Sequence, residues 1–230
     1  MPRLAGEALA TLGWLLLGLV VISAVVGYRV HAPRRRWAAL TAFAAERGWQ
    51  PQQHDPSLVS RWPEYPFGRG EDRQARDVLT GAYRGRSILA FQYSYEEPSG
   101  DSEGYPTTKT RRFAVCTVRL PAPLPDLTVD PTTFMYRVAR GVGFPALRFA
   151  DEEFDHAFAV HAAEPKFAYD VIDPGMMELL LRRDRVAWWI RGDDLVCWWP
   201  GTYGPATVLS RFDLLIDILE AIPPHVWSNR

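Results

Sequence analysis

A run of twenty-one residues without a charge, Ala8 to Tyr28, constrains this chain more than any other feature. At about 1.5 Å of rise per residue a helix of that length covers roughly 30 Å, the hydrocarbon thickness of a bilayer. The run therefore predicts a transmembrane helix over 8–28. A cleaved secretory leader would have a shorter apolar core and a small-residue cleavage site, whereas Arg29 and the Arg34 to Arg36 triplet follow directly here. A buried core helix would show a polar face, and this run has none. Basic flanks stay in the cytoplasm. Arg29, Arg34, Arg35 and Arg36, weighed against Arg3 and Glu7 on the other side, predict an extracytoplasmic amino terminus (1–7), a single pass through the cell membrane and a cytoplasmic remainder. Ser23 and Gly27 form a small-xxx-small pair that would let two such helices approach as a weak homo-oligomer.

Charge is distributed unevenly. The whole chain of 230 residues has a formal net charge of −1, but the five arginines before position 37 face Glu7 alone, so the rest is mildly acidic. A phosphate-tracking surface needs a basic stripe, because its affinity comes from cations that displace condensed counterions. None is visible after Arg36, so nucleic acid is not an expected partner. An apolar share of 47% excludes a disordered chain, and two cysteines exclude a disulfide scaffold. Cys116 and Cys197 lie in apolar, strand-like runs, as reduced buried thiols do in a cytosolic domain.

The remainder predicts a juxtamembrane basic segment and helix (29–48) and one soluble domain (49–230). Trp37, Leu40, Phe43 and Ala44 recur at helical spacing over 34–47, with Gly48 as a stop. Four prolines between 50 and 76 predict an irregular connection. DVLTGAY (77–83) and RSILAFQYSY (86–95), joined by Arg84-Gly85, read as a hairpin. RRFAVCTVRL (111–120) reads as a third strand after an acidic, Gly/Ser-rich and mobile insert (96–110). PAPLP (121–125) reads as a stiff connector, Asp130 as the N-cap of a short helix with Pro131 at its first position, and ALRF (146–149) as a strand. VAWWIR and LVCWWP flank Gly192-Asp193 and predict a second hairpin over 186–200. That hairpin would carry tryptophan on both faces, so both faces must be covered or form an interface. Trp188, Trp189, Trp198 and Trp199 are thus candidate interaction residues. Two helices close the chain: one after Asp173-Pro174, burying Met177, Leu180 and Leu181, and one over 206–221, whose stripe of Val208, Leu209, Phe212, Leu215, Ile216 and Leu219 should pack on the sheet while Arg211, Asp213, Asp217 and Glu220 face water. The fold class that results is α+β, an N-terminal transmembrane helix followed by a soluble domain with a mostly antiparallel sheet and packed helices.

Catalytic signatures are sparse. Gly141-Val142-Gly143-Phe144-Pro145-Ala146 matches the letters of a dinucleotide loop, but it follows a helix rather than a strand and Pro145 removes an amide, so a helix cap is the better reading. The densest ionisable stretch is DEEFDHAFAVH (151–161). On a helix Asp151 would lie over Asp155, with His156 alongside, and these three are the metal or acid-base candidates. A solvated helix start with favourable N-terminal acids competes with that reading. No cofactor is implied.

Several segments resemble an uncharacterised family of single-span bacterial membrane proteins of actinobacterial type: PFGRG (66–70), VLTGAYRGRSILAFQYSY (78–95), RRFAVCTVRLPAPLP (111–125), EEFDHAF (152–158) and FAYDVIDPGMMELLL (167–181). The resemblance implies a layout of one membrane helix and one soluble domain, and no activity. The expected function is a membrane-anchored, non-catalytic cytoplasmic interaction or scaffold domain, with the lipid bilayer and a protein at the inner membrane as partners. The alternative is an enzyme or a small-ligand or metal-binding domain that uses residues 151–161.

Overall fold

The structure is a computed structural model that describes residue 14 and residues 34–100, 106–134 and 146–228. The chain divides into two compact units, Met1–Phe43 and Ala44–Arg230. A helical stretch over 34–45, which ends in a turn at Gly48, follows the periodicity of Trp37, Leu40 and Phe43. The expectation of a fold led by a transmembrane helix is corrected. Among the described residues no helix is long and apolar enough to cross a membrane. The longest helix described, Pro205–Ala221, has 17 residues and carries Arg211, Asp213, Asp217 and Glu220. The run 8–28 itself lies outside the described residues except for Trp14, which is helical and 72% exposed.

The second unit is an α+β domain built on a six-stranded antiparallel sheet. Its strands are β1 (Gln50–His54), β2 (Glu71–Tyr83), β3 (Arg86–Gly100), β4 (Pro106–Pro131), β5 (Phe158–Ala162) and β6 (Ala187–Pro200). The helices described with them are α1 (Glu152–Ala157), α2 (Pro165–Val171), α3 (Pro174–Arg182), α4 (Pro205–Ala221) and α5 (Pro224–Ser228). β1, β2 and β3 form a meander that leads to β4. β4 has β3 on one flank over its first half and β5 on that flank near its end, and β6 pairs with both of its halves on the other flank.

The β2–β3 hairpin turns at Arg84-Gly85 as its sequence predicts. Both residues have positive φ, 47° and 75°, as a two-residue turn matched to the strand twist requires. The proline-rich segment is more regular than expected, since β1 and a 3-10 turn over Pro56–Ser60 occupy part of it. The 96–110 insert is likewise corrected: β3 runs to Gly100 and β4 begins at Pro106, so most of the insert extends the strands. PAPLP is part of β4 rather than a connector. Pro165–Val171 is a further short helix. ALRF contributes only an isolated bridge, Leu147 to Val160. The short helix expected after Asp130 falls largely outside the described residues, and Asp130 itself is the penultimate residue of β4, paired with Ala159. A strand needs only an extended backbone, which the residue before a proline already favours.

The largest correction concerns 186–200, which is one continuous strand. Gly192 sits at φ +55°, but the chain does not reverse there. Instead β6 pairs along β4 in two registers, Phe113–Arg119 with Pro200–Asp194 and Leu127–Val129 with Ile190–Trp188, separated by bulges around Leu124 and Gly192. The bulge changes which alternate residues share a face. Ala187 and Trp189 before it share a cluster with Val196 and Trp198 after it, leaving Trp188, Ile190, Leu195 and Cys197 for the opposite face. Both faces are covered, as tryptophan on each demanded.

On one face, the segment from Leu58 through Trp62 to Phe67 packs on Phe91, Tyr93, Tyr95, Phe113, Trp189 and Trp198, with ring centroids 4.6 Å apart for Phe67–Tyr93. On the other, α4 packs on β4 and β6, with Phe212 meeting Trp49 edge-on at 5.7 Å. The charges expected to face water on α4 are engaged. Arg84 at the hairpin tip lies 3.2 Å from both Asp217 and Glu220, and the Arg211 guanidinium sits 5.2 Å over the Trp199 ring. Gly81 is the contact point for Trp49, because a Cβ there would come within 2.4 Å of its indole.

Phe212→Ala should therefore lower stability by about 3–5 kcal/mol through the lost ring and the cavity it leaves, and Gly81→Ala by about 1–3 kcal/mol through overpacking against Trp49. Thermal unfolding of both variants checks this, with an unchanged midpoint contradicting the packing described.

Candidate functional site

The seam between the 55–67 segment and the sheet gathers buried polar groups that the sequence did not single out. The bulge in β6 presents Arg191 and Asp194 to this segment from either side of Gly192. Arg61 forks onto Asp194, with Nη2 2.9 Å from each carboxylate oxygen and Nε 3.1 Å from Oδ2, and Asp194 is only 7% exposed. Arg191 donates through Nε to Glu64 at 2.5 Å, through Nη2 to Thr128 Oγ1 at 3.0 Å and through Nη1 to the carbonyls of Ile190 and Leu127 at 2.7 and 3.3 Å. Buried charge is costly unless it is paired and hydrogen-bonded, and these two arginines tie the covering segment to the kink in the sheet.

Asp130 lies two residues beyond Thr128, on the same face of β4. It is 2% exposed, and among the described residues neither carboxylate oxygen has a hydrogen-bond partner. Burial pushes its carboxyl up to about 7, while Arg191 pulls in the opposite direction. A buried acid that holds its proton near neutrality can donate a hydrogen bond or exchange a proton. The β4–β5 register sets His161 opposite Thr128.

At the other end the seam opens into a cavity of about 730 Å³ lined by Tyr65, Tyr95, Arg69, Lys109, Arg111 and neighbours. Tyr65 packs edge-on against Trp198 at 5.1 Å, and Arg111 Nε donates to Glu97 at 2.8 Å. The Arg111 guanidinium holds the Glu97 carboxyl below its ordinary range, and burial pushes the Tyr95 phenol well up.

The residues singled out from the sequence lie elsewhere. Asp151 caps α1, its Oδ1 accepting from the Phe154 amide at 3.0 Å, and Asp155 accepts from the Phe149 amide at 3.1 and 3.3 Å. His156 is exposed in the last turn of that helix. Asp151 lines a separate surface groove of about 930 Å³ with Glu152, Glu153, Met177 and Leu181. Among the described residues no three His, Cys, Asp or Glu side chains are placed to hold a metal ion. Trp188, Trp189 and Trp198 are buried to 2% exposure or less, and Trp199 is half-buried under Arg211. Arg34 and Arg35 are exposed and Arg36 half-exposed, while Arg29 lies outside the described residues. Cys116 and Cys197 face each other across β4 and β6, both free, and burial pushes the Cys116 thiol well up.

These features define a class: an antiparallel α+β domain with helices on one face and an aromatic covering segment on the other. Comparison with protein-family models and with curated proteins finds no match. Among solved structures the chain is similar to the crystal structure of the mycobacterial trehalose monomycolate transport factor A, TtfA, with a TM-score of 0.57 and 14% identity over 83% of this chain and 98% of that one. At that identity the likeness shows a shared fold. The structural neighbour is a transport factor.

Two outcomes test the site. Folded Asp130 keeps its proton to about pH 7, whereas the unfolded chain releases it near 4. The proton-linked stability is therefore full below about pH 4 and is lost as pH rises toward 7, on the order of 4 kcal/mol in all. Asp130→Asn should abolish that slope in denaturant titrations between pH 4 and 8, and an identical slope in the variant contradicts the assignment. Cys116 and Cys197 should resist a thiol reagent at pH 8 in the native chain and both react on denaturation, since a buried thiol yields little thiolate.

Proposed function

We propose that this chain is a non-catalytic accessory factor of a transport process at the cell membrane, acting by binding a protein partner. The observation that carries the reading is the fold shared with TtfA along 98% of that chain's length. A fold likeness that spans nearly all of the solved transport-factor chain supports the same kind of role more than a likeness to one small module would, although fold alone does not set function.

A place at the membrane, with residues 49–230 on the cytoplasmic side, is supported by the sequence alone, through the charge-free run 8–28 and the arginines at 29 and 34–36. The polar seam fits a binding role, since its arginines are spent on holding the 55–67 segment to the sheet.

The full-length chain, tagged at Arg230 and cross-linked in intact cells, should remain in the carbonate-washed membrane pellet. It should also enrich the same protein partner at least tenfold over an untagged control. Recovery in the carbonate supernatant removes the membrane placement, and the lack of any reproducible partner removes the accessory reading.

A further inference from the structure

β6 ends at Pro200, opposite Phe113, while β4 extends back to Pro106. Among the described residues the flank of β4 that β6 occupies further on is therefore unpaired over 106–112, apart from the Gly201 amide, which donates to the Arg112 carbonyl at 2.8 Å. In an antiparallel strand the N–H and C=O of one residue point to the same flank, and successive residues alternate between flanks. The Arg112 carbonyl thus fixes the pattern: the backbone groups of Thr110 and Thr108 point to this open flank, while those of Arg111 and Lys109 point to β3. Thr108 and Thr110 are exposed, and no strand pairs with them there among the described residues.

This short edge forms one wall of the 730 Å³ cavity. Four cations line the cavity, Arg69, Lys109, Arg111 and Arg112, against the single carboxylate of Glu97, which Arg111 already engages. Arg69 and Lys109 are exposed, and Tyr65 offers a half-buried ring beside the edge. An unpaired edge is a template for another strand, and backbone pairing supplies affinity while flanking side chains select sequence.

We propose that the 106–112 edge of β4 binds an extended acidic segment of a protein partner as an added antiparallel strand, with that segment's carboxylates on Arg69 and Lys109. The inference deepens the accessory reading by naming the binding surface and the chemistry of the partner. Backbone pairing places the segment's alternate residues over the cavity, and the surplus positive charge there selects acidic ones. At about 3.3 Å per residue the edge accommodates about five residues.

Fluorescence anisotropy on the full-length chain in a neutral detergent tests this with labelled Glu-Val-Glu-Val-Glu. Saturable binding should weaken at least fivefold in the Arg69→Ala/Lys109→Ala double variant, whose exposed positions leave the unfolding midpoint unchanged. It should weaken at least tenfold when the peptide's backbone amides are N-methylated, which keeps its charge and removes its strand hydrogen bonds. Equal binding of the N-methylated peptide or of Lys-Val-Lys-Val-Lys overturns the proposal, as does binding of phosphatidylglycerol vesicles with none of the acidic peptide. Failure of the peptide while a cross-linked partner is still recovered sinks the edge assignment alone. Peptide binding with no partner in cells sinks the accessory reading instead.

Discussion

The pairing of β4 with β6 is the constraint on which the rest of this domain depends. β4 is 26 residues long, and a strand of that length cannot stay flat against one partner, because strand twist accumulates along it. The bulges at Leu124 and Gly192 relieve this by bending both strands together. The bend lets β3 and β5 share one flank of the same strand. It also turns Arg191 and Asp194 toward the segment that covers the aromatic face. Trp188, Trp189 and Trp198 are buried along this pairing, on its two faces.

What could be read from the sequence was whatever depended on near neighbours. Alternation at Leu89, Phe91, Tyr93 and Tyr95 and the Arg84-Gly85 turn located a hairpin, because its partner strands are adjacent in the chain. The stripe on α4 and the Asp173 cap of α3, whose Oδ1 accepts from Met176 at 2.8 Å, are similarly local. Gly192-Asp193 misled for the opposite reason. A glycine with positive φ serves a two-residue turn or a bulge equally well, and only the presence of β4, more than sixty residues away, decides between them. Asp130-Pro131 has the chemistry of a helix start, yet it ends a strand because β5 and β6 enclose it.

The polar groups of the seam were missed on the same grounds. Glu64, Thr128, Asp130 and Arg191 are scattered over 128 positions of the chain, and no spacing rule connects them. Each alone looks like a surface residue. Together they form a network in which Arg191 is saturated by four acceptors while Asp130 has no hydrogen-bond partner among the described residues, and burial raises that carboxyl toward neutrality. The acids at 151–155 were conspicuous in the sequence because they were contiguous, and contiguity there serves the start of a six-residue helix.

The matched bulges also bear on how such a domain can diverge. Along each strand the interruption reverses which face alternate residues meet, so the two halves of the sheet stay in step only while both interruptions persist. A single-codon deletion in either would exchange the residues that meet α4 with those that meet the covering segment over the entire distal half. Loss of one residue from each strand at once would keep their faces in phase, although β4 would still span the break with more residues than β6. Relatives should therefore keep or lose both irregularities together, however far their remaining residues drift.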